Sequence, residues 1–337
     1  MVKVGIIGIG FMGKTHFECY KTNSNAQIVA IADINEKKIT GDWSEIGGNI
    51  GDGKVKPVDL TGIKTFKTAD DLINNSDADL IDICLPTHLH AEYAIKALRS
   101  GKNVMCEKPI ARTSSDAQKI ITAWKKSKKK LMVGHCIRFW PGYDIVKEYI
   151  TNTTFGKPRF AIFRRVSTAP IWSWDNWLMD NNRSGGCALD MHIHDIDAVT
   201  YFFGKPDTIL ANGVVTSNRV DHVMATYKYD NGMIALAEGK WETPTCFPFN
   251  MAFWITFDTA VVEFESAKSN QLVIYHNDGK KEVIDLPGET GWQREINYFI
   301  DCITKDKQPG VVTPMDAKVN LDIALKEIAI LTKTKQL

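Results

Sequence analysis

An aspartate and a histidine one helical turn apart are the residues of this chain best suited to acid–base chemistry. Both lie in the segment SGGCALDMHIHDID, residues 184–197, and a helix is predicted over residues 188–203. Asp190 and His194 have i, i+4 spacing, so they are predicted to project from one face of that helix. A carboxylate so placed orients an imidazole, and histidine titrates in the range that a general base requires.

A lysine at the end of a predicted strand supplies a positive charge for the same chemistry. Lys108 belongs to the sequence Cys106-Glu107-Lys108-Pro109, which follows an apolar strand at residues 103–106. Ligands of parallel sheets bind at the carboxyl ends of strands, where a lysine stabilises a developing alkoxide. An exposed loop position is the alternative for any isolated lysine. The hypothesis therefore requires folding to bring Lys108 and His194 into one cleft.

The segment around His194 is also rich in groups that bind zinc or manganese. These potential ligands are Asp190, His192, His194, Asp195 and Asp197. His192 and His194 are two positions apart on the predicted helix, so their side chains point in different directions. No metal site is therefore predicted.

A glycine motif at the amino terminus indicates a dinucleotide site. Gly8, Gly10 and Gly13 form G-x-G-x-x-G between the strand at residues 3–8 and a helix, and Asp33 closes the next strand 20 residues after Gly13. The glycines let the backbone approach a pyrophosphate at a helix amino terminus, and the acid binds the adenosine ribose. A glycine-rich turn with a capping Asp33 is the alternative, but strand, motif, helix, strand and acid follow in the required order.

Asp33 also predicts which dinucleotide is used. Its negative charge repels the 2′-phosphate of NADP, so NAD is the expected cofactor. Lys37 and Lys38 lie close enough in sequence to soften that repulsion. Use of NADP is therefore not excluded.

Composition narrows the class of partner. Lys+Arg 41 against Asp+Glu 40 gives a formal net charge of +1, so nothing attracts the chain to nucleic acid and a small molecule is the expected partner. No apolar run reaches the roughly 18 residues that span a bilayer, so no membrane association is expected. The seven cysteines include no C-x-x-C pair and are expected to be reduced thiols in a cytoplasmic protein.

The order of predicted elements indicates an α/β fold with a second, α+β region. Short apolar strands alternate with helices up to Gly134, which implies parallel pairing, and only residues 41–62 read as an irregular insertion. Beyond that point, strands joined by hairpin turns such as Asp230-Asn231-Gly232 imply antiparallel pairing. We predict a dinucleotide-binding Rossmann domain at residues 1–130 and a substrate-binding and oligomerisation domain at residues 131–337.

Three of these motifs together resemble the Gfo/Idh/MocA family, which includes glucose-fructose oxidoreductase and inositol dehydrogenase. They are the glycine motif, the triplet Glu107-Lys108-Pro109, and Gly185-Gly186 followed by Asp190 and His194. The triplet joined to D-x-x-x-H is specific, whereas the glycine motif alone is not. The resemblance covers nearly the whole chain. It implies a Rossmann domain followed by a large, open, mainly antiparallel sheet used in a homodimer or homotetramer interface.

The resemblance also implies roles for individual residues. In this family the lysine contacts the substrate hydroxyl and the cofactor, the aspartate binds substrate, and the histidine is the general base; by position these are Lys108, Asp190 and His194. The cofactor contacts that it adds to Gly8, Gly10, Gly13 and Lys108 are Phe11, Met12, Asp33, Ile34, Leu85, Pro86, Thr87, His90 and Glu107. One departure is His192, where the family usually has a small residue; its role is left open.

Substrate contacts are expected from an arginine and from tryptophans. Arg138 follows the strand that ends at Gly134, and Trp174 and Trp177 belong to a loop whose aromatic faces suit a carbohydrate ring. Trp292 is a further candidate. Core or interface packing is the alternative for these tryptophans.

The motifs together predict an NAD-dependent dehydrogenase of a sugar, polyol or cyclitol. In this hypothesis His194 takes the hydroxyl proton, Lys108 stabilises the alkoxide, and Asp190 orients His194 and holds a neighbouring hydroxyl. Two alternatives stay open: an NAD-dependent glycosidase, and a dinucleotide-sensing regulator without catalysis on the same fold. The retention of Lys108, Asp190 and His194 argues against a sensor, which needs no proton acceptor.

Overall fold

The amino-terminal part of the chain forms a parallel sheet with helices on its faces. The computed structural model describes residues 1–48, 57–216 and 219–333. The elements are β1 (Val2–Ile7), α1 (Phe11–Thr22), β2 (Ala26–Ala32), α2 (Glu36–Ile39), β3 (Lys64–Phe66), α3 (Ala69–Asn75), β4 (Leu80–Ile83), α4 (His90–Arg99), β5 (Asn103–Glu107), α5 (Ser114–Ser127) and β6 (Leu131–Gly134). Most strands of this sheet are buried and apolar, as expected for a parallel sheet that helices cover on both faces.

The strand order places a crevice beside the glycine motif. The sheet runs β3-β2-β1-β4-β5-β6 with parallel pairing, so the direction of strand addition reverses between β1 and β4. Ligands of such sheets bind at this reversal, beyond the carboxyl ends of the strands. The loops after β1, β4 and β5, which carry Gly8, Leu85 and Lys108, therefore meet at one edge.

One feature of this sheet differs from the sequence prediction. The short strand β3 was missed because it has only three residues, two of them exposed, and lacks an apolar run. Part of the predicted insertion at residues 41–62 lies outside the described residues; its described parts are turns and loops. β6 pairs with β5, so the first sheet extends to Gly134. The domain boundary at residue 130 stays a prediction.

The rest of the chain forms a large sheet with helices on one face. The elements are α6 (Tyr143–Thr151), β7 (Pro158–Val166), α7 (Gly186–Asp190), α8 (Ile193–Phe203), β8 (Thr208–Thr216), β9 (Arg219–Lys228), β10 (Ile234–Lys240), β11 (Asn250–Phe257), β12 (Ala260–Glu265), β13 (Leu272–His276), β14 (Lys281–Ile284), α9 (Gly291–Thr304) and α10 (Pro314–Lys333). The eight strands run β14-β13-β12-β11-β7-β10-β9-β8, and β7 and β10 form a parallel pair among antiparallel neighbours. The predicted fold class is confirmed.

The last helices return to the first sheet and tie the two regions together. Gln293 and Asn297 on α9 are hydrogen-bonded to Thr22 and Asn23 at the end of α1. Lys130, just before β6, pairs with Asp306. In the described residues no helix is both long and apolar enough to cross a membrane. None of the seven cysteines, all of them described, forms a disulfide.

Candidate active site

A cleft of about 600 Å³ runs between the two sheets and takes lining residues from both. Lys108 and His194 both line it, together with Asp190. The requirement that folding bring the lysine and the histidine into one cleft is therefore met. The volume lies within the range of about 300–1,000 Å³ that is typical of small-molecule sites.

The glycine motif forms the floor of one end of this cleft. Gly8 has a φ of +88°, and a Cβ atom there would lie 2.6 Å from the carbonyl oxygen of Cys84. A Cβ at Gly13 would lie 2.0 Å from the carbonyl oxygen of Gly8, whereas one at Gly10 would meet open space. Gly8 and Gly13 thus permit close backbone packing, and Gly10 leaves the start of α1 accessible to a ligand. Gly8, Gly10, Phe11 and Met12 line the cleft, and Gly13 supports them from below.

Asp33 lies beside the glycine motif, as predicted. Its carboxylate accepts hydrogen bonds from the backbone N–H groups of Ile9 at 2.7 Å and Asn35 at 2.8 Å. The ammonium group of Lys38 lies 3.5 Å from the same carboxylate, whereas Lys37 pairs with Glu45. Lys38 is therefore the lysine that can moderate the charge of Asp33. Ile34 is exposed and lines the adjoining wall.

The loop after β4 contributes two of its four predicted residues to the cleft. Leu85 and Pro86 line it, whereas Thr87 and His90 are buried and are not among the lining residues. The ring nitrogens of His90 lie 2.8 Å from the carbonyl oxygens of Pro109 and Leu85. His90 thus fixes the loop after β4 against the loop that carries Lys108.

Lys108 is paired with Asp190 across the cleft. Its Nζ donates to Asp190 Oδ1 at 3.0 Å and to the carbonyl oxygen of Asp190 at 2.7 Å. Burial lowers the pKa of Lys108, but the charges of Asp190 and Glu107 outweigh this effect and leave the pKa raised. Lys108 is therefore a fixed cation in the wall of the cleft.

The predicted single helix that carries Asp190 and His194 is broken between them. α7 ends at Asp190, Met191 and His192 form a turn, and α8 begins at Ile193. The carboxylate of Asp190 bonds to Lys108, and no hydrogen bond joins it to His194 in the described structure. The expectation that Asp190 orients His194 is therefore not met in the described structure, where Oδ1 of Asp190 accepts from Lys108 and Nδ1 of His194 has no hydrogen-bond partner.

His194 is held in its neutral form. Burial lowers its pKa well below 6.5, and the nearby charges of Lys108 and Arg165 lower it further. Arg165 on β7 lines the cleft and donates two hydrogen bonds, each of 3.1 Å, to the carboxylate of Asp195. An imidazole that is neutral at physiological pH can accept a proton, and two cations near it favour an anionic oxygen.

Glu107 is held by a buried network below Lys108. His16 on α1 lies 2.8 Å from Asp82 through Nδ1 and 3.2 Å from Glu107 through Nε2. Burial raises the pKa of Glu107, but its interaction with His16 and the charge of Lys108 outweigh this effect and leave the pKa lowered. The second oxygen of Glu107 accepts from the backbone N–H of Lys108 at 3.1 Å. An ionised Glu107 thus anchors the backbone that carries the lysine.

Arg138 does not reach the cleft. Its Nε and Nη2 bind the carboxylate of Asp197 at 2.9 and 2.7 Å, and its Nη1 donates to the carbonyl oxygen of Val311 at 2.7 Å. Only 7% of the residue is exposed, and it is not among the lining residues. The predicted substrate role of Arg138 is wrong, because its guanidinium pairs with Asp197 and Val311 away from the cleft.

Tryptophans form much of the wall of the cleft. Six of the nine in the chain line the cleft: the predicted Trp174, Trp177 and Trp292, and in addition Trp140, Trp172 and Trp241. Trp172 and Trp292 pack on Phe11, with ring centroids 5.7 and 6.4 Å apart. Trp174 is 48% exposed, and the guanidinium of Arg183 lies 5.5 Å from its ring centroid. These residues give the cleft a lining rich in aromatic rings.

His192, the departure from the family pattern, faces away from the cleft. It is fully buried, and its Nε2 lies 3.2 Å from Glu327 on α10 and 3.3 Å from the hydroxyl of Tyr227. Gly239 makes room for it, since a Cβ there would lie 2.6 Å from that of His192. The imidazole therefore fastens the turn between α7 and α8 to α10. The sequence left the role of His192 open and did not single out Arg165, because the partners of both residues are distant in the chain.

Comparison with known proteins assigns the chain to a family. One family model, described as an oxidoreductase family with an NAD-binding Rossmann fold, matches residues 2–135, and the GFO/IDH/MocA C-terminal domain matches residues 143–263. The chain therefore belongs to the Gfo/Idh/MocA family, as the resemblance in its motifs predicted.

Curated relatives match at low identity. The chain is 27% identical over 247 residues to a myo-inositol 2-dehydrogenase of Thermotoga maritima, with 71% of this chain and 68% of that protein covered. It is 25% identical to a 2,7-anhydro-N-acetylneuraminate hydratase of Escherichia coli, with 71% and 61% covered. The match spans 62% of the length of an uncharacterized oxidoreductase of Streptococcus pneumoniae.

Solved structures share the fold across the chain. An aldose-aldose oxidoreductase from Caulobacter crescentus matches with a TM-score of 0.82 and 19% identity, covering 99% of this chain and 98% of that one. A scyllo-inositol dehydrogenase from Lactobacillus casei matches with a TM-score of 0.78 and 20% identity, covering 99% and 97%. At these identities the likeness is one of fold.

Proposed function

We propose that the protein is an NAD(P)-dependent oxidoreductase that transfers a hydride between a secondary hydroxyl of a sugar, polyol or cyclitol and a nicotinamide. The observation that carries this proposal is that Lys108, Asp190 and His194 line the same cleft as the glycine motif and Asp33. Relatives named inositol 2-dehydrogenases support the substrate class.

The amino-terminal end of the cleft fits a dinucleotide. The first turn of α1 carries no acidic residue, and no side chain caps its amino terminus at Gly10, so the helix start is free to bind a pyrophosphate. The negative charge of Asp33 favours NAD, whose ribose carries no 2′-phosphate. Lys38 beside it moderates that charge, so NADP is the alternative cofactor. The bound nicotinamide supplies the hydride acceptor.

The protein's own groups prepare the substrate hydroxyl. His194 is neutral and lines the cleft, so it accepts the hydroxyl proton. Lys108, already a cation, stabilises the oxygen as negative charge develops, and Asp190 keeps the lysine in place and offers an acceptor to a neighbouring hydroxyl. The exposed ring of Trp174 and the ring of Trp177 provide apolar faces for the carbon skeleton.

A substrate screen with a catalytic control tests the proposal. Inositols, aldoses, sugar phosphates and amino sugars are each combined with NAD and with NADP, and the absorbance of the reduced cofactor is followed. We expect reduction with at least one member of the panel, and none with the His194→Ala variant. Cofactor binding without turnover across the panel would support a sensor. Release of an aglycone without net reduced cofactor would support a glycosidase.

A further inference from the structure

A buried arginine lines the cleft with part of its hydrogen-bonding capacity unused. Arg165 on β7 is 3% exposed and is one of the lining residues. Its Nε and Nη2 donate to the two carboxylate oxygens of Asp195, at 3.1 Å each. Among the described residues, its other terminal nitrogen, Nη1, donates only to the thioether sulfur of Met251, at 3.4 Å. The charge of Arg165 also acts on Tyr143, but the buried hydroxyl of Tyr143 makes no hydrogen bond in the described structure.

The guanidinium of Arg165 has two edges that can each bind a carboxylate. Its N–H donors form forks of two parallel donors that match the two oxygens of a carboxylate. Asp195 occupies the fork of Nε and Nη2. The second fork consists of Nη1 and the remaining N–H of Nη2, and a thioether sulfur is only a weak acceptor for it. Buried donors in native proteins are almost always paired, so a second fork in the wall of a cleft indicates a ligand.

The second sheet opens into the cleft at this arginine. Side chains two positions apart on a strand share one face of the sheet. On this face of β7, Phe163 is fully buried in the core, whereas Arg165 and Ser167 line the cleft. Met251, the register partner of Arg165 on β11, lines the cleft as well. Arg165 is therefore the point on β7 at which the packed core ends and the cleft begins.

The same arginine lies beside the proposed base. Its partner Asp195 follows His194 directly in the chain, and both residues belong to the first turn of α8. His194 and Arg165 line the same cleft. A substrate group bound at the second fork therefore lies in the same part of the cleft as the hydroxyl that His194 deprotonates.

We propose that Arg165 is a specificity-determining residue and that the substrate is a sugar acid or a cyclitol acid, whose carboxylate accepts two hydrogen bonds from the second fork. A planar carboxylate matches this fork, whereas a neutral sugar offers it single hydroxyls. A monoanion suits the site better than a phosphate dianion, because Asp195 already balances the charge of Arg165.

The carboxylate holds the substrate and undergoes no chemical change. The bond changes are those of the proposed function: the alcohol carbon gives a hydride to the bound nicotinamide, and the hydroxyl proton passes to His194, so that the alcohol becomes a ketone. The inference rests on the proposed function and narrows its substrate class.

Matched pairs of acidic and neutral compounds test this substrate class. D-glucuronate and D-glucose, D-gluconate and D-glucitol, and quinate and myo-inositol are compared by their kcat/KM with NAD, and D-glucose 6-phosphate represents the phosphates. We expect the acid of at least one pair to exceed its neutral counterpart at least about 10-fold, because hydrogen bonds between charged groups contribute more than those to neutral ones. Values for all the acids that are equal to or below those of their counterparts overturn the proposal, as does a preference for the phosphate.

Arg165→Lys tests the residue itself, because lysine keeps the charge beside Asp195 but has no fork. We expect it to lower kcat/KM for the acid about 10- to 100-fold, chiefly through KM, with a smaller effect on the neutral counterpart. Arg164→Lys is the matched control, since Arg164 is the preceding residue, is exposed on the opposite face of β7 and pairs with Glu238. It should change neither value. An acid-to-neutral ratio that is unchanged in folded Arg165→Lys overturns the proposal.

A binding measurement separates this inference from the proposed function. If the native protein turns over no member of the panel, the proposed function fails. The quenching of tryptophan fluorescence by each acid and by its neutral counterpart then decides the role of Arg165, because six tryptophans line the cleft. Equal affinities for the two compounds of every pair overturn the proposal. If Arg165→Lys does not fold, the double variant Arg165→Gln with Asp195→Asn removes both charges of the pair together and takes its place in both measurements.

Discussion

The ammonium group of Lys108 lies 3.0 Å from Oδ1 of Asp190, although the two residues are 82 positions apart in the chain. The contact joins the end of β5 in the parallel sheet to the end of α7 beside the large sheet. It gives the cation a fixed place in the wall of the cleft. The i, i+4 spacing predicted that Asp190 would contact His194, but no hydrogen bond joins them in the described structure.

Replacement of His194 by asparagine tests its role as proton acceptor. Asparagine keeps a polar side chain but cannot take up a proton at neutral pH. We expect His194→Asn to lower kcat by about 10²- to 10⁴-fold, which is the usual contribution of a general base. Dinucleotide affinity, measured by quenching of tryptophan fluorescence, should stay the same. A folded variant with native kcat would refute the assignment.

The lowered pKa of His194 predicts how activity depends on pH. A base works in its neutral form, so kcat/KM for oxidation should persist as the pH falls below 6.5 and be lost only at the lowered pKa. The charge of Lys108 contributes to that shift, so Lys108→Met should raise the pKa of His194 in an NMR titration. Lys119→Met, an exposed lysine paired with Asp116, is the matched control and should leave it unchanged. A loss of activity already above pH 6.5 contradicts the prediction.

The negative charge of Asp33 is expected to set the preference for NAD. Asp33→Asn keeps an acceptor for the backbone of Ile9 but removes the repulsion of a 2′-phosphate. The ratio of kcat/KM for NADP to that for NAD should therefore rise, and adding Lys38→Ala should reverse part of the gain. Glu36→Gln, an exposed acid paired with Lys67, is the control. An unchanged ratio in Asp33→Asn assigns the preference to other residues.

Glu295 is expected to make the protein less stable at high pH. It is fully buried, and a carboxylate oxygen of Glu295, one of Glu107 and a ring nitrogen of His16 lie within 4.8 Å of one another. Burial and the charge of Glu107 raise the pKa of Glu295 well above 4.5, so the folded chain keeps a proton that the unfolded chain releases. Stability on this account falls as the pH rises from 4.5 toward the raised pKa.

Glu295→Gln tests this expectation because glutamine has nearly the same shape and stays neutral. Its melting temperature should exceed that of the native protein at pH 8, with a difference that shrinks toward pH 5. Glu148→Gln, an exposed position on α6, is the control and should show no such trend. A variant that is less stable than the native protein at every pH contradicts the expectation.

The open face of the large sheet is expected to bind a second copy of the chain. Ile162, Leu210 and Met224 are 37%, 47% and 53% exposed and share that face by strand register. Exposed apolar side chains grouped on one face are typical of an interface. Ile162→Arg should therefore reduce the mass measured by light scattering from a dimer or tetramer to a monomer, whereas Lys326→Glu on α10 should not. A native protein that is monomeric contradicts the expectation.

The sequence by itself determined which segments are strands or helices and which reactive residues lie at their ends. Short apolar strands alternating with helices gave the parallel sheet, because these patterns are local and depend on few neighbours. The glycine motif and Asp33 were placed correctly for the same reason: the strand, turn and helix that hold them are contiguous in the chain. The identities of Lys108 and His194 were likewise readable from their motifs.

Only the tertiary structure decided which charges meet. Asp190 pairs with Lys108 rather than with His194. Arg138 pairs with Asp197, and His192 contacts Glu327. Each of these pairs joins residues that are far apart in the chain, so no periodicity records them. A buried charge takes whichever partner satisfies it at least cost in desolvation, and that choice exists only once the two sheets and their helices have packed together.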